Sequence, residues 1–123
     1  MKTLAAVATE SGKPLTLMEL DIEDPRADEI LVRIVATGVC HTDLVVQAGM
    51  LPVPMPVILG HEGAGVVEKI GSKVSKVKPG DHVVLSFNSC GSCESCREKE
   101  PAYCYEFMPR NFGVTREDGT TAL

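Results

Sequence analysis

Four cysteines, Cys90, Cys93, Cys96 and Cys104, form a C-x2-C-x2-C-x7-C run. Four thiols within fifteen residues require that segment to fold around something other than a hydrophobic core. Three explanations compete. Disulfides fit poorly, because Cys90, Cys93 and Cys96 are too closely spaced to pair readily with one another, the total of five cysteines is odd and no secretory signal precedes them. An iron–sulfur cluster shares the first two spacings, but ferredoxin motifs place a fourth cysteine after three residues and follow it with proline. Here seven residues intervene and Tyr105 follows Cys104. A zinc ion in a closed tetrahedral S4 site fits best. Polar residues fill the loop (Ser92, Glu94, Ser95, Arg97, Glu98, Lys99 and Glu100), and Gly91 eases a turn that frees backbone amides to donate to sulfur. Structural zinc contributes about 10–16 kcal/mol in small peptides, and a polar lobe with few apolar residues needs such a staple.

The rest of the composition narrows the possibilities. The 123 residues are enough for one domain with a single core. A net charge of −5 with cysteines counted neutral becomes about two units more negative once four thiolates hold one divalent ion. With no basic patch or aromatic stacking surface, nucleic acid is not an expected partner. The opening MKTLAAVATESGKPL is apolar only as far as Glu10, too short for a signal peptide or a membrane span. Reduced thiols point to the cytoplasm.

Local patterning reads as β-structure. Short β-branched runs at Leu4–Thr9, Leu15–Leu20, Ile30–Val39, Gly65–Ile70 and Val83–Phe87 are punctuated by turns at Gly12-Lys13-Pro14, Asp24-Pro25, Gly71-Ser72 and Pro79-Gly80-Asp81. This predicts a barrel or sandwich. The most apolar run, Ile30–Ala36, is expected to cross the core. One helix is predicted over Thr42–Ala48, ended by Gly49, and Pro52, Pro54 and Pro56 forbid regular structure before Val57.

A second constellation lies upstream. Cys40-His41-Thr42-Asp43 is followed by Gly60-His61-Glu62, and Cys40 and His61 are suitable zinc ligands for an open site with room for solvent or substrate. Each ligand is accompanied by a carboxylate, Thr42 adds a hydroxyl, and Gly60, Gly63 and Gly65 permit close backbone approach. A satisfied core cysteine and a turn histidine would be the plainer explanation of the same residues.

The string Gly60-His61-Glu62-Gly63-Ala64-Gly65, continued by Gly71 and Val74, resembles the signature of the zinc-containing medium-chain alcohol dehydrogenase family. Cys40-His41-Thr42-Asp43, the four-cysteine lobe and Pro79-Gly80-Asp81-His82-Val83 follow in that family's order, so the resemblance covers essentially the whole chain. Val84-Leu85-Ser86-Phe87, Pro101-Ala102-Tyr103-Cys104 and Asp118–Leu123 are most similar to its aryl- and benzyl-alcohol members. The resemblance implies a GroES-like, partly open β-barrel spanning residues 1–123, with a short helix and a four-cysteine zinc lobe. It implies Cys40 and His61 as catalytic zinc ligands, with Glu62 a carboxylate that can exchange in. Thr42 becomes the hydroxyl that takes the alcohol's proton, Asp43 the carboxylate that orients His61, and His41 a contact to the cofactor pyrophosphate. The implied substrate is a small alcohol, oxidised with NAD.

Two departures qualify the resemblance. Val45 stands where many members carry a proton-relaying histidine. The family's third catalytic cysteine and its nucleotide-binding domain do not occur among these residues, which hold no G-x-G-x-x-G. The 123-residue polypeptide is therefore expected to bind zinc without dehydrogenase activity and to self-associate through the face such a domain would cover. The alternative is a zinc-stabilised GroES-like binding or assembly module with no catalysis.

Overall fold

The computed structural model describes residues 1–123 and is mainly β, as the patterning anticipates. Strands β1 (Lys2–Ala8) and β2 (Thr16–Asp21) precede β3 (Ile30–Thr37) and helix α1 (His41–Gln47). Strands β4 (Val57–Ile58), β5 (Gly63–Ile70) and β6 (His82–Val84) follow, then helix α2 (Glu94–Arg97), a 3-10 turn at Pro101–Tyr103 and helix α3 (Phe107–Phe112). Two open three-stranded antiparallel sheets result, ordered β2-β1-β4 and β3-β5-β6. The predicted helix over Thr42–Ala48 is α1 shifted by one residue, and the proline-rich stretch yields only the two-residue β4 immediately after Pro56.

The buried side chains are few: Val7, Ala8, Leu31, Val46, Val67 and Cys104. Strand β3 does not cross the core as expected. Only Leu31 of that strand is buried, while Ile34 and Val35 are 49% and 62% exposed. The physical reason is topological: β3 is an edge strand, its ladder with β5 is interrupted between Leu31 and Val32 and again between Ile34 and Ala36, and apolar content alone does not reveal which strand lies at an edge. Gly65 on β5 sits so close to β3 that a Cβ would overlap the Arg33 carbonyl oxygen. Gly63, one alternation earlier, lies against Leu85 and Ile34. At Gly63 and Gly65 the close approach expected of these glycines is made to neighbouring protein.

The final residues fold back onto the β2–β3 connection. Arg116 forks around Glu29, donating Nε to Oε1 at 2.6 Å and Nη2 to Oε2 at 2.9 Å, and reaches Glu23 Oε2 at 2.9 Å. Arg26 donates to Asp118 Oδ2 at 2.6 Å and to Thr120 Oγ1 at 2.8 Å. Such bidentate pairs fix orientation as well as adding energy. The hydrogen bond from Arg116 holds the Glu29 carboxyl below its usual range, and hydrogen bonds from Thr120, then Arg26, do the same for Asp118.

Helix α2 ends in a Schellman arrangement. The Glu100 amide donates to the Ser95 carbonyl at 2.8 Å and the Lys99 amide to that of Cys96 at 3.1 Å, with Lys99 in the left-handed region at φ 68°. A side chain there costs about 1 kcal/mol that glycine avoids. Lys99→Gly is therefore expected to raise the melting temperature by a few degrees in scanning calorimetry; an unchanged or lower value contradicts this reading.

Candidate metal centres

The lobe that carries the four cysteines is built from turns. Cys90 follows β6, Cys93 caps the N-terminus of α2, Cys96 lies within it and Cys104 ends the 3-10 turn. Their sulfur atoms all lie within 4.8 Å of one another, and Cys90 Sγ and Cys96 Sγ are 3.9 Å apart. A tetrahedral ion with metal–sulfur bonds of about 2.3 Å requires sulfurs about 3.8 Å apart, so the donor set fits zinc. Gly91, at φ 72°, makes the turn that aims the Ser92 and Cys93 amides at Cys90 Sγ, at 3.4 and 3.2 Å. The Cys90 amide donates in turn to Cys104 Sγ at 3.3 Å.

These contacts divide the thiols electrostatically. Backbone donors from Ser92 and Cys93 bring Cys90 down to about 6, and those from Tyr105 and Cys96 lower Cys93. Burial pushes Cys96 up to about 11. A cation at the centre of the set would favour the thiolate form of its sulfurs.

Hydrogen bonds hold the lobe together. The Asn88 amide donates to Asn111 Oδ1 at 2.8 Å, and Asn111 Nδ2 returns a bond to the Asn88 carbonyl at 3.0 Å, closing the lobe at its base. Within the lobe the Tyr105 hydroxyl donates to Glu94 Oε2 at 2.9 Å.

The upstream residues converge as well. Cys40 ends the β3–α1 connection, and His61 and Glu62 occupy the turn between β4 and β5. One donor atom from each of Cys40, His61 and Glu62 lies within 4.8 Å of the others. His61 turns Nδ1 toward Asp43 Oδ1 at 3.6 Å and Nε2 toward Glu62 Oε1 at 3.9 Å. Asp43 is itself anchored, accepting from the Cys40 amide at 2.9 Å across the first turn of α1. The Cys40 thiol donates to Thr42 Oγ1 at 3.4 Å. No Lys or Arg makes an ion pair with Glu62 or Asp43. A thiol, an imidazole and a carboxylate brought together without a basic partner suit a divalent cation. His41, by contrast, is exposed on α1 and is not among the converging donors.

An aromatic ladder runs from this cluster to the cysteine lobe. Phe87 stacks on His61 with ring centres 5.4 Å apart and planes at 21°, and Phe107 tilts against Phe87 at 5.0 Å. A cleft of about 70 Å3 beside the stack is lined by Thr42, Asp43, His61 and apolar residues including Val46 and Val57. A larger groove of about 960 Å3 lies between Arg26, Glu29, Arg110 and Arg116, and none of Cys40, His61 and Glu62 lines it. Its charged lining makes it the poorer place for an apolar ligand.

The sequence profile of the alcohol dehydrogenase GroES-like domain matches residues 26–122. This chain belongs to the alcohol dehydrogenase GroES-like domain family. A geraniol dehydrogenase from Castellaniella defragrans is 51% identical over 120 residues, which are 97% of this chain and 32% of the relative. The crystal structure of benzyl alcohol dehydrogenase from Acinetobacter calcoaceticus superposes with a TM-score of 0.97 at 48% identity, covering 99% of this chain and 34% of that one. An alcohol dehydrogenase zinc-binding domain protein from Burkholderia ambifaria gives a TM-score of 0.94 at 52% identity, over 97% of this chain and 32% of that one. The chain thus spans about a third of the length of these relatives. The GroES-like fold expected from the motifs is the fold observed. Phe107, which meets Phe87 beside His61, and Asn111, which closes the lobe on Asn88, escape sequence reasoning because an isolated phenylalanine and asparagine carry no spacing signal.

Proposed function

We propose that these residues form the catalytic domain of a zinc-dependent alcohol dehydrogenase that oxidises a primary alcohol, aromatic or allylic, to its aldehyde with NAD as hydride acceptor. The observation that carries this reading is the convergence of Cys40, His61 and Glu62 within 4.8 Å, with the Thr42 hydroxyl beside Cys40. The geraniol and benzyl alcohol relatives support the choice of substrate class.

Zinc bound by Cys40, His61 and Glu62 would supply Lewis acidity that lowers the pKa of an alcohol hydroxyl. The residues around it do the remaining work. Thr42 Oγ1 accepts the hydroxyl proton and passes it on, and with Val45 offering no titratable group the proton leaves through solvent. Asp43 Oδ1 faces His61 Nδ1 at 3.6 Å, a charge that favours the proton on Nδ1 and leaves the Nε2 lone pair for a cation. Phe87 covers one side of the imidazole and limits water there. A nicotinamide, when bound, would supply the acceptor for the hydride from the substrate carbon, the hydroxyl proton leaving separately through Thr42, which balances the two electrons and two protons lost by the alcohol. His41, exposed on α1, is placed in this reading to meet the cofactor pyrophosphate. A separate nucleotide-binding domain would hold that cofactor and pack on the exposed apolar side chains of β3 and β6. The same side chains would let the 123-residue polypeptide self-associate. That polypeptide is expected to hold zinc at both sites without turning over benzyl alcohol and NAD.

Metal counting tests the reading. Elemental analysis of the purified chain is expected to find two zinc equivalents, and Cys40→Ala one. A single equivalent in both proteins would leave only the closed site and favour a non-catalytic binding or assembly module.

A further inference from the structure

We propose that Gly38 is a positioning residue: the missing side chain at that position is the slot through which the Glu62 carboxylate reaches the Cys40–His61 pair. The inference rests on the reading of Cys40, His61 and Glu62 as a metal site.

The slot follows from the end of a β-ladder. Strands β3 and β5 pair as far as Thr37 opposite Gly63, so the next residues outward, Gly38 and Glu62, face each other, and the Gly38 amide donates to the Glu62 carbonyl at 3.2 Å. A Cβ on Gly38 would overlap Glu62 Oε2 and stand 3.1 Å from both Cβ and Cδ of that side chain. Glu62 therefore lies folded over the bare backbone of Gly38. Backbone freedom does not explain the glycine, since Gly38 is absent from the residues of positive φ. Space is what remains.

Nothing else holds the carboxylate there. Its one charged contact is His61 Nε2 at 3.9 Å, no hydrogen bond restrains its oxygens, and the side chain is 46% exposed. Its location is set by the backbone it lies against and by its own rotamer. A methyl group at position 38 has a specific consequence for that reason. At Gly65 the obstructing atom would be a strand carbonyl, which cannot move without breaking the β3–β5 ladder. At Gly38 it is the free end of a flexible side chain, so the chain folds and the carboxylate is displaced outward. Cys40 and His61 keep their positions and lose their third donor.

Cobalt(II) titration followed by visible d–d absorption tests this on the chain as it stands, reading the two sites separately. Gly38→Ala is expected to weaken cobalt binding at the Cys40–His61 site by about tenfold or more, and to leave the thiolate-rich spectrum of the four-cysteine site unchanged. Glu62→Ala should weaken the same site to a similar extent, and Gly38→Ala added to Glu62→Ala should have no further effect. Wild-type affinity in Gly38→Ala would overturn the proposal. So would an equal loss from Gly38→Ala with and without Glu62, because the glycine would then act through the backbone. If the unaltered chain takes up only one cobalt, the metal reading of Cys40, His61 and Glu62 falls together with the role of Gly38. Two cobalt ions with an indifferent Gly38→Ala would remove the glycine's role alone.

Discussion

Removing the metal from Cys90, Cys93, Cys96 and Cys104 is expected to unfold the segment between Asn88 and Gly113 and to bring the whole chain close to denaturation. Cys104 is the only buried residue in the lobe, so apolar burial contributes little to its stability. The short α2, the 3-10 turn and α3 are each too brief to persist alone. Zinc in comparable thiolate sites is worth about 10–16 kcal/mol, which matches or exceeds the roughly 5–15 kcal/mol net stability of an ordinary domain. Without the metal, sulfurs at 3.9 Å also lose the cation that lets them all remain thiolates. Cys104→Ala should reproduce the effect of a chelator. The check is a thermal melt followed by far-ultraviolet circular dichroism, with zinc release verified by elemental analysis. Stripped protein that melts as before would show that the lobe stands on its own packing.

The second large effect is expected at Asp43. Its carboxylate does two things: Oδ2 accepts from the Cys40 amide and Oδ1 faces His61 Nδ1. Asp43→Asn leaves a carbonyl oxygen for the amide, so α1 keeps its first turn, but removes the negative charge that faces the imidazole. Outer partners of ligand histidines are typically worth 10–100-fold in metal affinity. A loss of that size in cobalt affinity at the Cys40–His61 site is expected, with the four-cysteine site and the melting temperature of the zinc-loaded lobe unchanged. If affinity stays within twofold, the 3.6 Å approach of Asp43 to His61 has no role in binding.

Much of this arrangement is legible in the sequence itself, and the boundary of legibility has a physical basis. Strand runs, α1 and the proline-interrupted stretch follow from short-range rules of periodicity and allowed dihedrals, and each is observed within a few residues of its expected place. The cysteine lobe is readable because metal geometry constrains ligand spacing along the chain. The misplaced strand is β3: its apolar residues are plain in the sequence, but edge or centre is decided by which strands pair with it. The fork of Arg116 around Glu29 joins residues 87 positions apart, and nothing local marks either partner. Gly38 is invisible for a related reason, since its significance is the volume occupied by the Glu62 side chain, which comes from the turn before β5.

The hydrogen bond between Tyr105 and Glu94 has a practical consequence. The protein contains no tryptophan and two tyrosines, Tyr103 and Tyr105, and both lie in the cysteine lobe between Cys96 and Phe107. All phenol emission near 305 nm therefore originates in one small region, and the carboxylate hydrogen-bonded to one ring makes that emission sensitive to local order. The protein carries an intrinsic optical gauge of its closed site, blind to the barrel, and a titration at the open site can be followed in the visible while the ultraviolet reports independently on the lobe.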